Sequence, residues 1–252
     1  MTEPSHNEAV QLLAQWLGET RRGVAFTGAG ISTESGIADF RSPGGVWSRH
    51  QPVMYQDFLT DPEERMRYWL IRKESVPQFM SAEPNAGHLA LAKLEAEGHF
   101  QAVVTQNIDE LHQRAGSKRV LEVHGTAMQV HCLSCDKRYS AEEIQARLEA
   151  GDEAPVCDDC EGILKSMTVS FGQDLPQDVW AESVALSEDC DLFLAMGTSL
   201  VVHPAARLPQ VARESGARLV IVNRDPTPLD GIADLALHAP IGETMAAVMA
   251  AM

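Results

Sequence analysis

The 252-residue sequence has few basic residues: 20 Lys and Arg stand against 36 Asp and Glu, a formal net charge of −16 at pH 7. A duplex-binding surface needs a basic patch, and no cluster of Lys and Arg occurs, so we expect no specific nucleic-acid binding. The acidic charge favours solubility and, as a second interpretation, basic protein segments as partners. No run of 18 apolar residues occurs, and residues 1–8 lack the basic and apolar regions of a signal peptide. We therefore expect no membrane span and a cytoplasmic location.

Cysteine is scarce, and its odd number argues against a disulfide framework. Four of the five cysteines form two CxxC pairs, Cys132 with Cys135 and Cys157 with Cys160. Tetrahedral Zn²⁺ prefers four sulfur or nitrogen ligands in structural sites, so the two pairs predict one structural zinc ion. Cys190 has no such pattern, and we expect it to be a core residue.

Four short apolar runs alternate with stretches of helical period. The runs are 23–27, 101–105, 191–196 and 218–222, and the helical stretches are 8–16, 87–97, 177–186, 205–215 and 243–250. This alternation is typical of an α/β fold with a parallel sheet. Small or polar residues follow every run, and ligands of such folds bind at the carboxyl ends of the strands. We therefore predict one ligand-binding rim.

Two segments interrupt this alternation. Residues 42–83 are rich in aromatic residues and Met with a local helical period, and they are expected to form a helical insertion. Residues 130–166 contain the four paired cysteines and are expected to form a second insertion.

Each strand-end motif has a structural interpretation beside a functional one. The turn Gly28-Ala29-Gly30 is suited to a pyrophosphate or is simply a tight turn. Thr33 stands where a dehydrogenase fingerprint requires a third glycine, which weakens a hydride-transfer hypothesis. Asn107 and Asp109 could bind a ribose or an amide, or cap the next helix. His124, before a glycine, could be a general base or a structural residue.

Taken in order, these motifs resemble the sirtuin family over about residues 8–250. The resemblance rests on Gly28-Ala29-Gly30-Ile31-Ser32, Asp39-Phe40-Arg41, Gln106-Asn107-Ile108-Asp109, His124-Gly125, the two CxxC pairs, Phe171-Gly172, Gly197-Thr198-Ser199 and Asn223.

The resemblance implies a fold and an activity. It implies a Rossmann-like, NAD-binding parallel sheet with helices on both faces, built from residues 1–41, 85–129 and 167–252. A small domain would combine a helical module, 42–84, with a zinc-binding module, 130–166. The activity would be that of a monomeric NAD-dependent protein-lysine deacylase, a deacetylase by default, with acylated-lysine proteins as partners. The alternatives are a mono-ADP-ribosyltransferase on the same scaffold, a desuccinylase or longer-chain deacylase, and a catalytically silent zinc-ribbon binding module.

The resemblance also assigns roles to residues. His124 would take a proton from a ribose hydroxyl, Asn107 would orient the ribose and a water, and Asp109 with Ile108 would hold the nicotinamide carboxamide. The NAD-binding set would be Gly28, Ala29, Gly30, Ser32, Thr33, Asp39, Phe40, Arg41, Trp47, Gln106, Ile108, Gly197, Thr198, Ser199, Asn223, Asp225 and Ile241.

The substrate peptide would add as a strand beside Val169, Phe171, Gly172 and Val201. Family members that remove acidic acyl groups carry a Tyr-x-x-Arg pair in the helical module, and the matching residues here are Trp69 and Arg72. Arg72 could bind the carboxylate of an acidic acyl group or could simply be a surface residue of a helix, and the sequence leaves both interpretations open. Ala38 and Gln173 stand where the family usually has Pro and often Glu.

Overall fold

The computed structural model describes residues 5–39 and 50–252. In this part of the chain the main sheet has six parallel strands. In chain order they are β1 (Gly23–Thr27), β2 (Phe100–Thr105), β3 (Val120–Glu122), β7 (Leu192–Met196), β8 (Arg218–Val222) and β9 (Leu235–Leu237). Their order across the sheet is β3-β2-β1-β7-β8-β9. The chain runs outward from β1 to β3 and then resumes on the other side of β1 with β7. The strand order therefore reverses between β1 and β7, which is where open α/β sheets bind ligands.

Helices cover both faces of this sheet. One face packs against α1 (His6–Glu19), α4 (Ala86–Ala96) and α9 (Ile241–Ala251), and the other against α7 (Gln177–Asp189) and α8 (Leu208–Glu214). Successive side chains of a strand point to opposite faces. Ala25 and Leu194 accordingly lie in the first core, and Phe26 and Phe193 in the second. The predicted fold class is confirmed.

The four predicted strands are present within one residue of their expected bounds. Of the five predicted helices, α1, α7 and α9 are longer than expected, α4 is shifted by one residue, and α8 is shorter. Helix α1 begins at His6 because Ser5 and Glu8 form a capping box: Ser5 Oγ accepts from Glu8 N–H, and the Glu8 carboxylate accepts from Ser5 N–H at 2.8 Å. Strands β3 and β9, of three residues each, were not predicted. Cys190 is a core residue as expected, and burial raises the pKa of its thiol to about 12.

A second, smaller body lies beside the sheet. It contains the helices α2 (Tyr55–Thr60), α3 (Pro62–Ser81) and α6 (Ala141–Glu149) and an antiparallel sheet of β4 (Gly125–Cys132), β5 (Arg138–Ser140) and β6 (Leu164–Thr168) in the order β5-β4-β6. Phe58 and Trp69 of the helices pack into one cluster with Val130, Ile144 and Leu164. The two predicted insertions therefore share a core.

The predicted boundaries at residues 130 and 166 fall inside β4 and β6. The division into three domain segments remains a prediction. Of the helical module, residues 42–49 lie outside the described residues.

No helix in the described ranges is both long enough and apolar enough to span a bilayer.

Candidate functional site

A cleft of about 1070 Å³ opens at the carboxyl ends of β1, β2, β7 and β8, beside the second body. Most of the predicted NAD-binding and catalytic residues line it. They are Gly28, Ala29, Gly30, Thr33, Asp39, Gln106, Asn107, Ile108, His124, Gly197, Thr198, Ser199, Asn223, Asp225 and Ile241. The short helix α5 (Leu111–Ala115) follows the segment 106–109.

The glycines at the ends of β1 and β7 pack against each other. Gly30 N–H donates to Gly197 O at 2.8 Å. A Cβ on Gly30 would lie 2.8 Å from Gly197 Cα, and one on Gly197 would lie 2.3 Å from Ile31 N. Gly197 also has φ +61°, in the left-handed region that favours glycine. Only glycine allows the two loops to approach this closely, so main-chain atoms form this wall of the cleft.

Beneath the cleft, Ser32 joins the two polar residues of the Gln106-Asn107-Ile108-Asp109 segment. Ser32 Oγ donates to Asp109 Oδ2 at 2.7 Å and accepts from Asn107 Nδ2 at 3.1 Å. The other oxygen of Asp109 accepts from Leu111 N–H at 3.0 Å, at the start of α5. Burial raises the pKa of Asp109, although the hydrogen bond from Ser32 opposes that shift. Ser32 and Asp109 are therefore buried supports for the residues that line the cleft.

His124 lies at the junction of the two bodies, between β3 and β4. Its Nδ1 is 3.1 Å from the carbonyl oxygen of Gln106. A carbonyl oxygen only accepts, so Nδ1 carries the proton of this bond, and Nε2 is the basic nitrogen of the neutral ring. The main chain holds the residue as well, because His124 O accepts from Val169 N–H at 2.8 Å. The geometry gives an imidazole that is oriented and able to accept a proton.

The predicted peptide-binding residues lie at the rim of the cleft. Val169, Phe171 and Gly172 line it, and Phe171 is 42% exposed. Phe171 O accepts from Tyr55 N–H at 2.9 Å, so one edge of this segment is already paired with α2. Val201 is exposed but is not among the lining residues, whereas its neighbour Val202 is.

Trp69 does not lie where the sequence analysis expects it. Its side chain is 2% exposed and packs in the core of the second body. The aromatic residue of α3 that lines the cleft is Tyr68, one turn before Arg72. The spacing of four between Tyr68 and Arg72 places both on one face of a helix, which is a signal the sequence carried.

Arg72 is buried and belongs to a cationic cluster, which we define as Tyr68, Arg72 and Lys165. Arg72 donates to Ser166 Oγ, and Lys165 Nζ donates to the carbonyl oxygens of Ser166 and Thr168. Within residues 5–39 and 50–252 neither cation pairs with a carboxylate, and residues 40–49 contain no Asp or Glu. Burial acts to raise the pKa of Tyr68, but its polar neighbours, first among them the charges of Lys165 and Arg72, together outweigh burial, so that pKa lies below its usual value.

The four paired cysteines meet in the second body, away from the residues that line the cleft. Their sulfur atoms all lie within 4.8 Å of one another, with 3.5 Å between Cys132 and Cys160 and 3.7 Å between Cys135 and Cys157. A tetrahedral zinc ion with Zn–S bonds of ~2.3 Å needs sulfurs roughly 3.8 Å apart, so the four thiolates fit Zn²⁺. Four protein ligands fill the coordination sphere, so the ion would be structural.

Three predicted NAD-binding residues, Phe40, Arg41 and Trp47, lie outside the described residues. One supporting residue was not foreseen: Glu34 accepts from Gly242 N–H at 2.8 Å and joins the segment after β1 to the start of α9.

The fold and the cleft define a class. A parallel α/β sheet with a glycine-lined cleft at its reversal point is a nucleotide-binding architecture, and here it carries a separate four-cysteine metal module. The model of the Sir2 family matches residues 28–204. The chain therefore belongs to the Sir2, or sirtuin, family, as the sequence analysis predicts.

Relatives align over almost the whole chain. The NAD-dependent protein deacetylase of Rhodopseudomonas palustris is 44% identical over 247 residues, which are 97% of this chain and 98% of the relative. Two solved structures are similar in fold as well as in sequence. One, described as a Sir2–p53 peptide–NAD⁺ complex, has a TM-score of 0.87 and 43% identity and covers 95% of this chain and 96% of its own. Another, described as Sir2 bound to acetylated peptide, has a TM-score of 0.86 and 41% identity, with 96% and 97% covered.

Proposed function

We propose that this protein is an NAD-dependent protein-lysine deacylase that consumes NAD and releases nicotinamide, O-acyl-ADP-ribose and free lysine. The observation that carries the proposal is the convergence of His124, Asn107 and the glycine wall of Gly28, Gly30 and Gly197 on one cleft. The relative from Rhodopseudomonas palustris is named an NAD-dependent protein deacetylase, which supports the same activity.

NAD would be a co-substrate: its ribose–nicotinamide bond breaks as the acyl oxygen of the modified lysine takes the place of nicotinamide. The transition state of such a displacement is governed by positioning. Asn107, supported by Ser32, would orient the ribose, and the main chain at Gly28 and Gly30 would approach the phosphates. Nε2 of His124 would accept the proton of a ribose hydroxyl, since Nδ1 is engaged with Gln106 O. The oxygen of that hydroxyl would bond to the acyl carbon, and a water would then take the place of the lysine nitrogen on that carbon, which releases lysine and leaves the acyl group on ADP-ribose.

The substrate peptide would run along Phe171 and Gly172, and its acyl-lysine would enter from the side of the second body. Main-chain pairing of this kind needs little side-chain recognition. A similar structure is described as Sir2 bound to acetylated peptide, which supports a peptide as the substrate.

The cationic cluster favours a second candidate for the acyl group. Tyr68 and Arg72 line the cleft, and Arg72 Nε and the Tyr68 hydroxyl are buried without a hydrogen-bond partner among the described residues. An acyl chain that ends in a carboxylate would give Arg72 and Lys165 the negative partner they lack. An enzyme that removes succinyl or another acidic acyl group is therefore the alternative to a deacetylase.

The test is nicotinamide release from NAD with an acetyl-lysine peptide, a succinyl-lysine peptide or no peptide, in wild type and His124→Ala. Release that needs acylated peptide and is lost in the variant supports the deacylase, and the faster peptide identifies the acyl class. Release without peptide, with label transferred to protein, identifies a mono-ADP-ribosyltransferase instead. No release from folded, zinc-loaded protein would refute both enzymes and leave a binding module.

The monomeric state, the cytoplasmic location and the absence of nucleic-acid binding remain predictions from the sequence.

A further inference from the structure

A chain of buried polar groups runs beneath the cleft from α5 to Asn107. His112 of α5 is 1% exposed, and its Nε2 lies 2.8 Å from Thr27 Oγ1 at the end of β1. Thr27 Oγ1 lies 2.8 Å from Thr105 Oγ1, directly opposite it at the end of β2. Thr105 Oγ1 then accepts from Asn107 N–H at 3.0 Å. A hydroxyl both donates and accepts, so the chain from imidazole to amide is continuous.

The burial of this chain makes each link matter. Thr27 is 0% and Thr105 2% exposed, so no solvent can replace a lost partner without entering the core. Removing one partner from a buried hydrogen bond is costly, and hydrogen-bonded networks fix one arrangement of the groups they join. The arrangement fixed here includes the backbone at Asn107, whose side chain lines the cleft.

A second imidazole marks His112 as different from an ordinary packed histidine. The ring of His88 lies 4.9 Å from that of His112, and its Nδ1 accepts from Asn85 N–H at 3.3 Å. Burial lowers the pKa of His88 to about 4 and lowers that of His112 well below its usual value, so both rings are neutral. Of the two, only His112 is hydrogen-bonded to the strand ends.

We propose that His112 is a positioning residue, which acts through Thr27 and Thr105 to hold Asn107 in the orientation that the ribose of NAD requires. The inference rests on the proposed function, because it gives Asn107 a substrate to orient. His112 itself does not line the cleft and would not touch NAD.

The matched pair His112→Gln and His112→Asn tests the proposal. The two replacements remove the same ring and leave the same amide, but only the longer Gln side chain reaches the position of Nε2. We expect His112→Gln to keep most of the wild-type kcat. We expect His112→Asn to lose about tenfold in kcat, the effect of one ordinary hydrogen bond, with an unchanged KM for the acyl peptide.

A second pair breaks the chain one link further on and leaves the ring intact. Thr27→Ser keeps the hydroxyl and Thr27→Val keeps the shape, so kcat should fall only for Val. The double variant His112→Asn/Thr27→Val should be no slower than the slower single variant, because both replacements interrupt the same series of hydrogen bonds. Melting temperatures are measured throughout. Equal kcat for Gln and Asn, or kcat losses that follow melting temperature or add in the double variant, would make His112 a packing residue.

Hydrogen exchange at the Asn107 amide separates this inference from the proposed function. We expect protection in wild type and His112→Gln and faster exchange in Thr105→Val and His112→Asn. If wild type releases no nicotinamide, the proposed function is wrong. The exchange rates still report whether the hydrogen bonds from His112 through Thr27 and Thr105 hold the Asn107 amide. Unchanged exchange in Thr105→Val would overturn the inference even in an active enzyme.

Discussion

Replacing Ser32 with Ala should destabilise the protein and slow its reaction through the same two hydrogen bonds. The Ser32 hydroxyl donates to the Asp109 carboxylate and accepts from the Asn107 amide, and its side chain is 1% exposed. A hydrogen bond to a charged group contributes about 1.5–3 kcal/mol and a neutral one about 0.5–1.5 kcal/mol. We therefore expect the free energy of unfolding to fall by about 2–4 kcal/mol near neutral pH.

The loss should depend on pH in a direction that the environment of Asp109 fixes. Burial holds the pKa of Asp109 in the folded state above the unfolded value of 3.8. Between these two values the folded state binds more protons than the unfolded state, so stability falls as pH rises through that window. Ser32→Ala removes a hydrogen bond that lowers the pKa of Asp109, so this pKa rises further. The free energy of unfolding of the variant is therefore lowered more strongly than that of wild type at pH values above the folded-state pKa. The difference between wild type and variant should shrink as the pH falls through this window towards 3.8, because the folded-state carboxyl then takes up its proton in both proteins.

The assay is urea unfolding at about pH 7.5 and about pH 4, with Ser187→Ala as the matched control. Ser187 is 0% exposed, but its hydroxyl donates only to the carbonyl oxygen of Ser183, within α7. It should cost about 1 kcal/mol or less at both pH values. Nicotinamide release should fall in Ser32→Ala and not in the control. Equal losses for the two serines, or a Ser32→Ala loss that does not change with pH, would show that Ser32 does not stabilise an ionised Asp109.

Three further predictions concern other parts of the molecule. Removing zinc with a chelator should lower the melting temperature and unfold the β5-β4-β6 sheet. Cys157→Ser should contain less than one zinc ion per protein in elemental analysis. An unchanged melting temperature in the metal-free protein would contradict a structural ion. Gly197→Ala should lower stability and NAD affinity by far more than Gly98→Ala. Both glycines have positive φ, but only a Cβ at position 197 would clash with another segment of backbone. Equal drops in melting temperature for the two variants would show that the close approach of the two loops is not required. If the acyl group is acidic, Arg72→Met should lower the ratio of kcat/KM for succinyl-lysine over acetyl-lysine at least tenfold. Lys73→Met should leave this ratio unchanged, because Lys73 is on the same helix but donates to Leu148 O. An unaltered ratio in Arg72→Met would rule out the acidic acyl group.

The sequence allowed the main sheet and the rim of the cleft to be predicted because both rest on local signals. A buried parallel strand is a short apolar run; Gly28 and Gly197 stand directly after such runs, and Asn107 is the second residue after another. Two CxxC pairs likewise need only their own spacing to indicate a metal site. Strands β3 and β9 gave no such signal, because three residues are too few to show a period.

The interior of the site could not be predicted, because it depends on contacts between distant segments. Ser32 meets Asp109 across 77 residues, and Arg72 meets Ser166 across 94. The expectation for Trp69 failed for a related reason. Neighbouring aromatic residues on a helix point in different directions. Only the packing of α3 against β4, β6 and α6 decides that Tyr68 also reaches the cleft while Trp69 does not.

The structural and functional interpretations of the strand-end motifs are compatible in this molecule. Asp109 accepts from Leu111 N–H, the first amide of α5, with one carboxylate oxygen and from Ser32 with the other. Gly30 packs against Gly197 and also presents its main chain to the cleft. A loss of activity on replacing such a residue therefore does not by itself identify a ligand contact, because the replacement also disturbs the packing that shapes the cleft. Variants that keep one hydrogen-bonding atom and change the rest of the side chain, such as His112→Gln or Thr27→Ser, separate the two roles, since packing responds to the whole side chain and positioning only to that atom.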